Sequence, residues 1–236
     1  QQTGLSHFHI HQLFKVLTQA GALELRVIKV DYDPISADAE IRLLRVFRRN
    51  GDVEILDLKN VKDYAAPARG IYWGAREKMI EVGRLEPGDV VELKYFKKGF
   101  TYALLMDDDD DRFIPPMRGH YYDIVPFWSN HPMLEKVYIA QLPADKPLQY
   151  QFYNGECQSS LRFENGKHIY TFSMKNFMPL KREPNMLDFF DVAPKLILTT
   201  SPDWEAKSRW FYNVNEDYGS FEPTPEAEAF VKELLK

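Results

Sequence analysis

The 236-residue sequence holds a single cysteine, Cys157, so no disulfide can form within the chain and a disulfide-stapled scaffold is excluded. It lacks any apolar run approaching the roughly 18 residues a membrane helix requires, and Gln1 is followed by no basic-then-apolar leader. Neither a membrane span nor a signal peptide is therefore expected in the sequence as it stands. The glycines, Gly4, Gly21, Gly51, Gly70, Gly74, Gly83 and Gly88 among them, never take the spacing of a phosphate-binding loop. Nor is there an excess of positive charge: 30 Lys and Arg against 35 Asp and Glu leave a net charge of −5, which argues against a general nucleic-acid binder. What remains is a folded chain, 44% hydrophobic and 14% aromatic, long enough for one large domain or two small ones.

The charge is unevenly placed. Up to Leu105 the balance is +2, and beyond it −7, with Asp107, Asp108, Asp109, Asp110 and Asp111 supplying five of the negatives. The acidity is thus one local run and not a property of the whole surface. Aromatics follow the same skew, with 11 of 33 before residue 106 and 22 after it.

Strand patterns dominate the chain. The segment with His7, His9, His11, Phe14 and Leu17 reads as a short helix or strand ended by Gly21. Leu25, Val27, Ile28 and Val30 then form a strand that Asp33-Pro34 breaks. A second spans about Glu40 to Arg48, with Ile41, Leu43, Arg45 and Phe47 alternating against Arg42, Leu44 and Val46. Asn50-Gly51 has the hairpin residues that tolerate positive φ, and Val53, Ile55 and Leu56 return. Ala65 to Ala68 read as a loop, and Pro87-Gly88 as a turn before Val90 to Phe96. Further strands are expected at Lys136 to Gln141, Leu148 to Tyr153, Ser160 to Phe163, Ile169 to Phe172 and Leu196 to Thr199, with Asn154-Gly155 and Asn165-Gly166 between strands as hairpin chemistry predicts. Short strands about ten residues apart imply a mainly β protein, an antiparallel sandwich or barrel, and an antiparallel β-sandwich of many short strands is the expected fold class.

The tail differs. Ser201-Pro202 with Asp203 and Glu205 can open a helix, and Thr224-Pro225-Glu226 can open another. In the second, Ala227, Phe230, Val231, Leu234 and Leu235 fall on one face. The expected organisation is a β-sandwich domain over residues 1–222 with one or two C-terminal helices, residues 223–236 leading into a further domain, with a helix docking back onto its own sheet as the alternative.

Several segments together resemble a known family. Arg84-Leu85-Glu86-Pro87-Gly88-Asp89-Val90-Val91-Glu92, Val125-Pro126-Phe127, Leu142-Pro143-Ala144, Asn176 to Pro184 and Thr200-Ser201-Pro202-Asp203-Trp204-Glu205 are similar, in order and spacing, to the domain of unknown function that precedes transglutaminase-like domains in exported bacterial proteins. The resemblance covers about residues 25 to 215. It implies a β-sandwich-type domain, export by a Gram-negative bacterium to the periplasm or cell surface, and a papain-like Cys-His-Asp domain downstream. No activity is established for such a domain, so no functional residues carry over, and the aspartate run is no part of the pattern.

No catalytic residue is expected here. A thiol nucleophile needs a depressed pKa, as at a helix N-terminus, with a distant His and Asp. Cys157 precedes His168, Asp188 and Asp191 in the right order, but it lies between strands beside Glu156, and His168 is too near in sequence. His120 and His131 flank the aromatic stretch Tyr121, Tyr122, Phe127 and Trp128, so His120, Tyr121, Tyr122, Trp128 and His131 form a candidate ligand pocket, core packing being the alternative. His7, His9 and His11 would share a strand face suited to Zn²⁺ or Ni²⁺, or to water. Asp107, Asp109 and Asp111 are candidates for weak Ca²⁺ association without an EF-hand's spacing; no other cofactor is expected. The leading reading is a non-catalytic accessory domain that positions a downstream transglutaminase-like peptidase domain or binds its peptide or glycan substrate. A carbohydrate-binding or carbohydrate-cleaving domain, favoured by an exposed Trp73 or Trp128, and a protein-interaction domain acting through Trp204 to Leu235 are the alternatives.

Overall fold

The computed structural model describes residues 5–34, 36–66, 74–99, 120–217, 219 and 221–235. The chain is mainly β and its strands pair antiparallel throughout these residues. It divides into two compact units, Gln1–Gly119 and His120–Lys236, each with its own pair of sheets and its own core. Regular strand spacing reads the same in one sandwich as in two, which is why that division is invisible in the hydrophobic pattern.

In the first unit one sheet runs in the order β1 (Ser6–Lys15), β7 (Val90–Gly99), β3 (Ala37–Phe47), β4 (Val53–Ile55), and a second in the order β2 (Val27–Tyr32), β6 (Arg76–Glu81), β5 (Lys62–Ala65). The hairpin at Asn50-Gly51 forms as expected, with Gly51 at φ 94° and its N–H donating to the Arg48 carbonyl. The inward set of β3 is Ala39, Ile41, Leu44 and Val46, so its parity changes midway. A bulge between Ile41 and Leu43 against β7 is the cause: one extra residue turns every later side chain to the other face. The strict alternation of Ile41, Leu43, Arg45 and Phe47 is thereby corrected, and Arg45 is spared the core. Gly21 does not end the first element. Strand β1 stops at Lys15, and Gly21 sits inside helix α1 (Gln19–Glu24), its N–H bound by the Thr18 side chain at 3.1 Å. Lys62–Ala65 is likewise strand β5, held against β6, where loop composition suggested none around Ala65.

In the second unit the sheets are β10 (Gln149–Tyr153), β13 (Lys195–Thr199), β8 (Tyr122–Pro126) and β11 (Gln158–Glu164), β12 (Lys167–Phe177), β9 (Met133–Pro143). Phe127, Phe172, Leu196 and Leu198, all essentially inaccessible, centre the core between them. Asn165-Gly166 closes the β11–β12 hairpin with both residues at positive φ. Asn154-Gly155 does not make a hairpin, since β10 and β11 belong to different sheets. Asn154 keeps φ at 58°, and its side-chain amide donates to the Asp191 and Ala193 carbonyls at 2.8 and 3.1 Å, pinning the crossover to helix α2 (Phe189–Val192) and the residue after it. Helix α3 (Trp204–Asp217) is capped by Asp203, whose carboxylate accepts from the Ala206 N–H at 2.7 Å, and not by Ser201, which is buried. Helix α4 (Pro225–Leu234) starts as anticipated, with Thr224 accepting from the Ala227 N–H at 3.2 Å. No helix among the described residues is long and apolar enough to cross a membrane.

Candidate functional site

The aromatic stretch opening the second unit resolves into separate functions. His120 donates through Nδ1 to the Thr200 carbonyl at 2.9 Å, and the Tyr121 N–H donates to the Thr200 hydroxyl at 2.7 Å. With the Thr200 N–H returning to the Tyr121 carbonyl at 2.9 Å, His120 and Tyr121 extend the β8–β13 pairing that Tyr122 begins opposite Thr199. The Tyr121 and Tyr138 hydroxyls lie 2.6 Å apart and share the Asp123 carboxylate, at 2.9 and 3.1 Å. Burial, reinforced by the Asp123 charge, pushes both phenols far above their ordinary range, so neither can serve as a base near neutral pH. Lys136 points inward from β9, its ammonium donating to the Pro126 carbonyl and lying 5.4 Å from the centre of the Phe127 ring; burial lowers its pKa.

Trp128 packs elsewhere. It is half-buried, edge-on to Phe190 at 4.9 Å and Phe189 at 6.1 Å on α2. His131 is exposed, its N–H donating to the Ser129 hydroxyl at 3.0 Å. The five residues thus divide among the β8–β13 junction, the α2 contact and an exposed loop. The partners that organise this region, Tyr138, Asp123 and Lys136, escaped sequence reasoning; the inward phase of Lys136 and Tyr138 on β9 was their only signal. Asp107, Asp109, Asp111 and Trp73 lie outside the described residues.

Two polar clusters organise the first unit. Asp89 closes the Glu86-Pro87-Gly88-Asp89 turn: buried at 3% exposure, it accepts from the Arg49 and Glu86 N–H groups, each at 3.0 Å, and from Arg48 at 3.1 Å. Burial alone would raise its carboxyl, but these donors outweigh it and hold the group below its usual range. Gly88, at φ 105°, lies under the Arg49 side chain, whose Cδ would stand 3.2 Å from an added Cβ. Arg48, Arg49, Asn50, Arg84, Glu86 and Asp89 line an open cleft of about 590 Å³ beside this turn. On the outer face of the larger sheet, Glu92 of β7 is buried between Arg45 of β3 and His11 of β1, with His11 at 2.8 Å. Arg45 first, then His11, lowers its pKa against the cost of burial. His7, His9 and His11 do share one exposed strand face, but His7 and His9 rest on Phe96 with ring centres 5.7 and 4.9 Å away, and His11 binds Glu92. Among the described residues no group of three or more His, Cys, Asp or Glu is arranged to hold a metal.

Cys157, His168 and Asp188 are not assembled into a nucleophilic triad. Cys157 packs half-buried on the second core, and burial raises its thiol pKa, opposite to what a nucleophile needs. His168 stands edge-on between Phe163 and Tyr170, and Asp188 caps α2 through the Phe190 N–H at 2.9 Å.

A domain of unknown function for which a structure has been solved, DUF3857, matches residues 2–181. The chain belongs to the DUF3857 family. The match takes in the Glu86-Pro87-Gly88-Asp89 turn and both sandwiches up to β12, whereas Thr200 to Glu205 lie beyond it. This DUF3857 chain is also similar to the crystal structure of a Parabacteroides distasonis protein designated a "putative protease", with a TM-score of 0.68 and 16% identity. The likeness covers 86% of this chain and 38% of that one, so this DUF3857 chain spans less than two fifths of its neighbour's length. At that identity it shows the shared fold. No curated protein matches the sequence.

Proposed function

We propose that this DUF3857 chain is a non-catalytic accessory module of a longer exported protein, positioning a transglutaminase-like peptidase domain or binding that domain's peptide or glycan substrate. One observation carries the reading. No residue of α4 is buried, and its one-sided apolar set, Phe230 at 62%, Val231 at 50% and Leu234 at 68% exposure, faces water together with Leu235. On α3, Trp204 is 86% exposed and Phe211 and Tyr212 are also open. Apolar helix faces of this extent are stabilised by a partner, and a domain following in the same protein is the partner the reading assigns. The raised thiol pKa of Cys157 and the separate employment of His168 and Asp188 support a non-catalytic role. Location in the periplasm or at the cell surface, and weak Ca²⁺ association at Asp107, Asp109 and Asp111, belong to the same proposal.

The test is Phe230→Asp with Leu234→Asp, made both in this chain and in the whole gene product. The expected result is an unchanged thermal midpoint for the chain alone, because neither side chain is buried, and new protease-sensitive sites after α3 in the whole protein. Unfolding of the isolated chain, or an unaltered proteolysis pattern in the whole protein, would overturn it.

A further inference from the structure

We propose that the cleft beside the Glu86-Pro87-Gly88-Asp89 turn is a carboxylate-binding site, in which Arg49 and Arg84 hold the carboxylate of a short peptide. The inference rests on the accessory reading above and names, within it, the ligand and the place where it binds. One wall of the cleft is the hairpin end at Arg48, Arg49 and Asn50, and the other is the segment from Arg84 to Asp89. Its volume of about 590 Å³ is within the range of small-ligand sites.

The three arginines of the cleft are employed differently. Arg48 is committed: its guanidinium donates to Asp89 at 3.1 Å, to the Arg84 carbonyl at 2.8 Å and to Glu54, which ties the two walls together. Arg49 is fixed at its base and open at its head. Its N–H donates to Asp89 at 3.0 Å, and its Cδ and Cγ fill the space that a side chain at position 88 would need, 3.2 and 3.3 Å from an added Cβ. Arg49 is nonetheless exposed, and its guanidinium has no hydrogen-bond or ion-pair partner among the described residues. A side chain already held along its stem loses less rotamer freedom on binding, and the planar guanidinium fork matches a carboxylate.

Arg84 supplies the second fork. It meets Glu86 at 2.9 Å, but the two side chains are 88% and 61% exposed, and a surface pair of that kind contributes little. A ligand carboxylate can take the place of Glu86 on Arg84, and the released Glu86 stays solvated. The unpaired cation is a single one, and Glu86 and Asp89 also line the cleft, so one negative charge fits where a phosphate dianion is repelled. No aromatic ring lines the cleft among the described residues, so a sugar finds no face to stack on there.

Titration of the chain with tri-alanine, its C-terminal amide, glucuronate and inorganic phosphate, followed by NMR, tests this. Tri-alanine shifts the amide signals of Arg49, Asn50, Glu86 and Asp89. Arg49→Ala or Arg84→Ala, both exposed and outside the core, weakens its binding roughly tenfold or more with the thermal midpoint unchanged, and the C-terminal amide binds the wild type as weakly as those variants bind the acid. No binding of tri-alanine below about 10 mM, equal binding of acid and amide, or tighter binding of glucuronate or phosphate overturns the proposal. Each of those results leaves the accessory reading standing, because proteolysis of the whole gene product decides that separately.

Discussion

Replacing Asp89 with alanine removes the acceptor of two backbone N–H groups, those of Arg49 and Glu86, and one of the bonds to Arg48, which keeps Glu54 and the Arg84 carbonyl. Each amide left without an acceptor costs about 1–3 kcal/mol, so Asp89→Ala should destabilise the first unit by about 3 kcal/mol, and Asp89→Asn, which keeps one acceptor oxygen, by about half as much. With a urea slope near 2 kcal/mol/M, the alanine variant's midpoint falls by about 1.5 M. Amide hydrogen exchange at Arg49 and Glu86 locates the loss. The pH dependence follows from the depressed carboxyl. Its stabilisation is fully present above the ordinary carboxylate pKa of about 4 and is lost as pH falls through the lower folded-state value. The gap between wild type and Asp89→Ala is therefore constant from about pH 5 to 8 and shrinks below about pH 4. A midpoint shift under about 0.3 M, with both amides still protected, would refute the reasoning.

The remaining expectations are simpler. Burial pushes the Asp63 carboxyl up, but hydrogen bonds from Tyr32 at 2.8 Å, Arg76 at 2.8 Å and Lys78 at 3.0 Å hold it at about 2. An NMR titration of the side-chain carboxyl should find that value, Tyr32→Phe should raise it, and the associated stability should disappear as pH falls from about 4 towards 2. Leu196→Ala, at the fully enclosed centre of the second core, should lower stability by about 2–5 kcal/mol in thermal or urea unfolding while the amides of β3 and β7 keep their exchange protection. Cys157→Ser should leave any activity of the whole gene product unchanged, which a side-by-side rate measurement checks.

How far the fold can be read from the residues depends on the range of the interaction that decides each feature. The hairpins at Asn50-Gly51 and Asn165-Gly166 and the Thr224 cap of α4 are settled within four residues, and turn and cap chemistry identifies them directly. Asn154-Gly155 has the same local chemistry, yet it leads from one sheet to another because β13 and β12 compete as partners for the flanking strands. The bulge after Ile41 is likewise set by register against β7 and leaves no mark in the pattern of β3. The candidate site shows the same limit. Asp89 stands out as part of a turn motif, but its capture of the Arg49 amide forty residues away depends on the sheet being formed. Glu92 reads as an exposed polar residue of a strand until the register sets Arg45 and His11 beside it.

The proposed accessory role implies that this chain carries no catalysis of its own. Hydrolysis of peptides and cell-wall material by the purified chain, measured beside the whole gene product, tests it most directly. Turnover is expected only from the longer protein; turnover by residues 1–236 alone, abolished by Cys157→Ala, would contradict the accessory role.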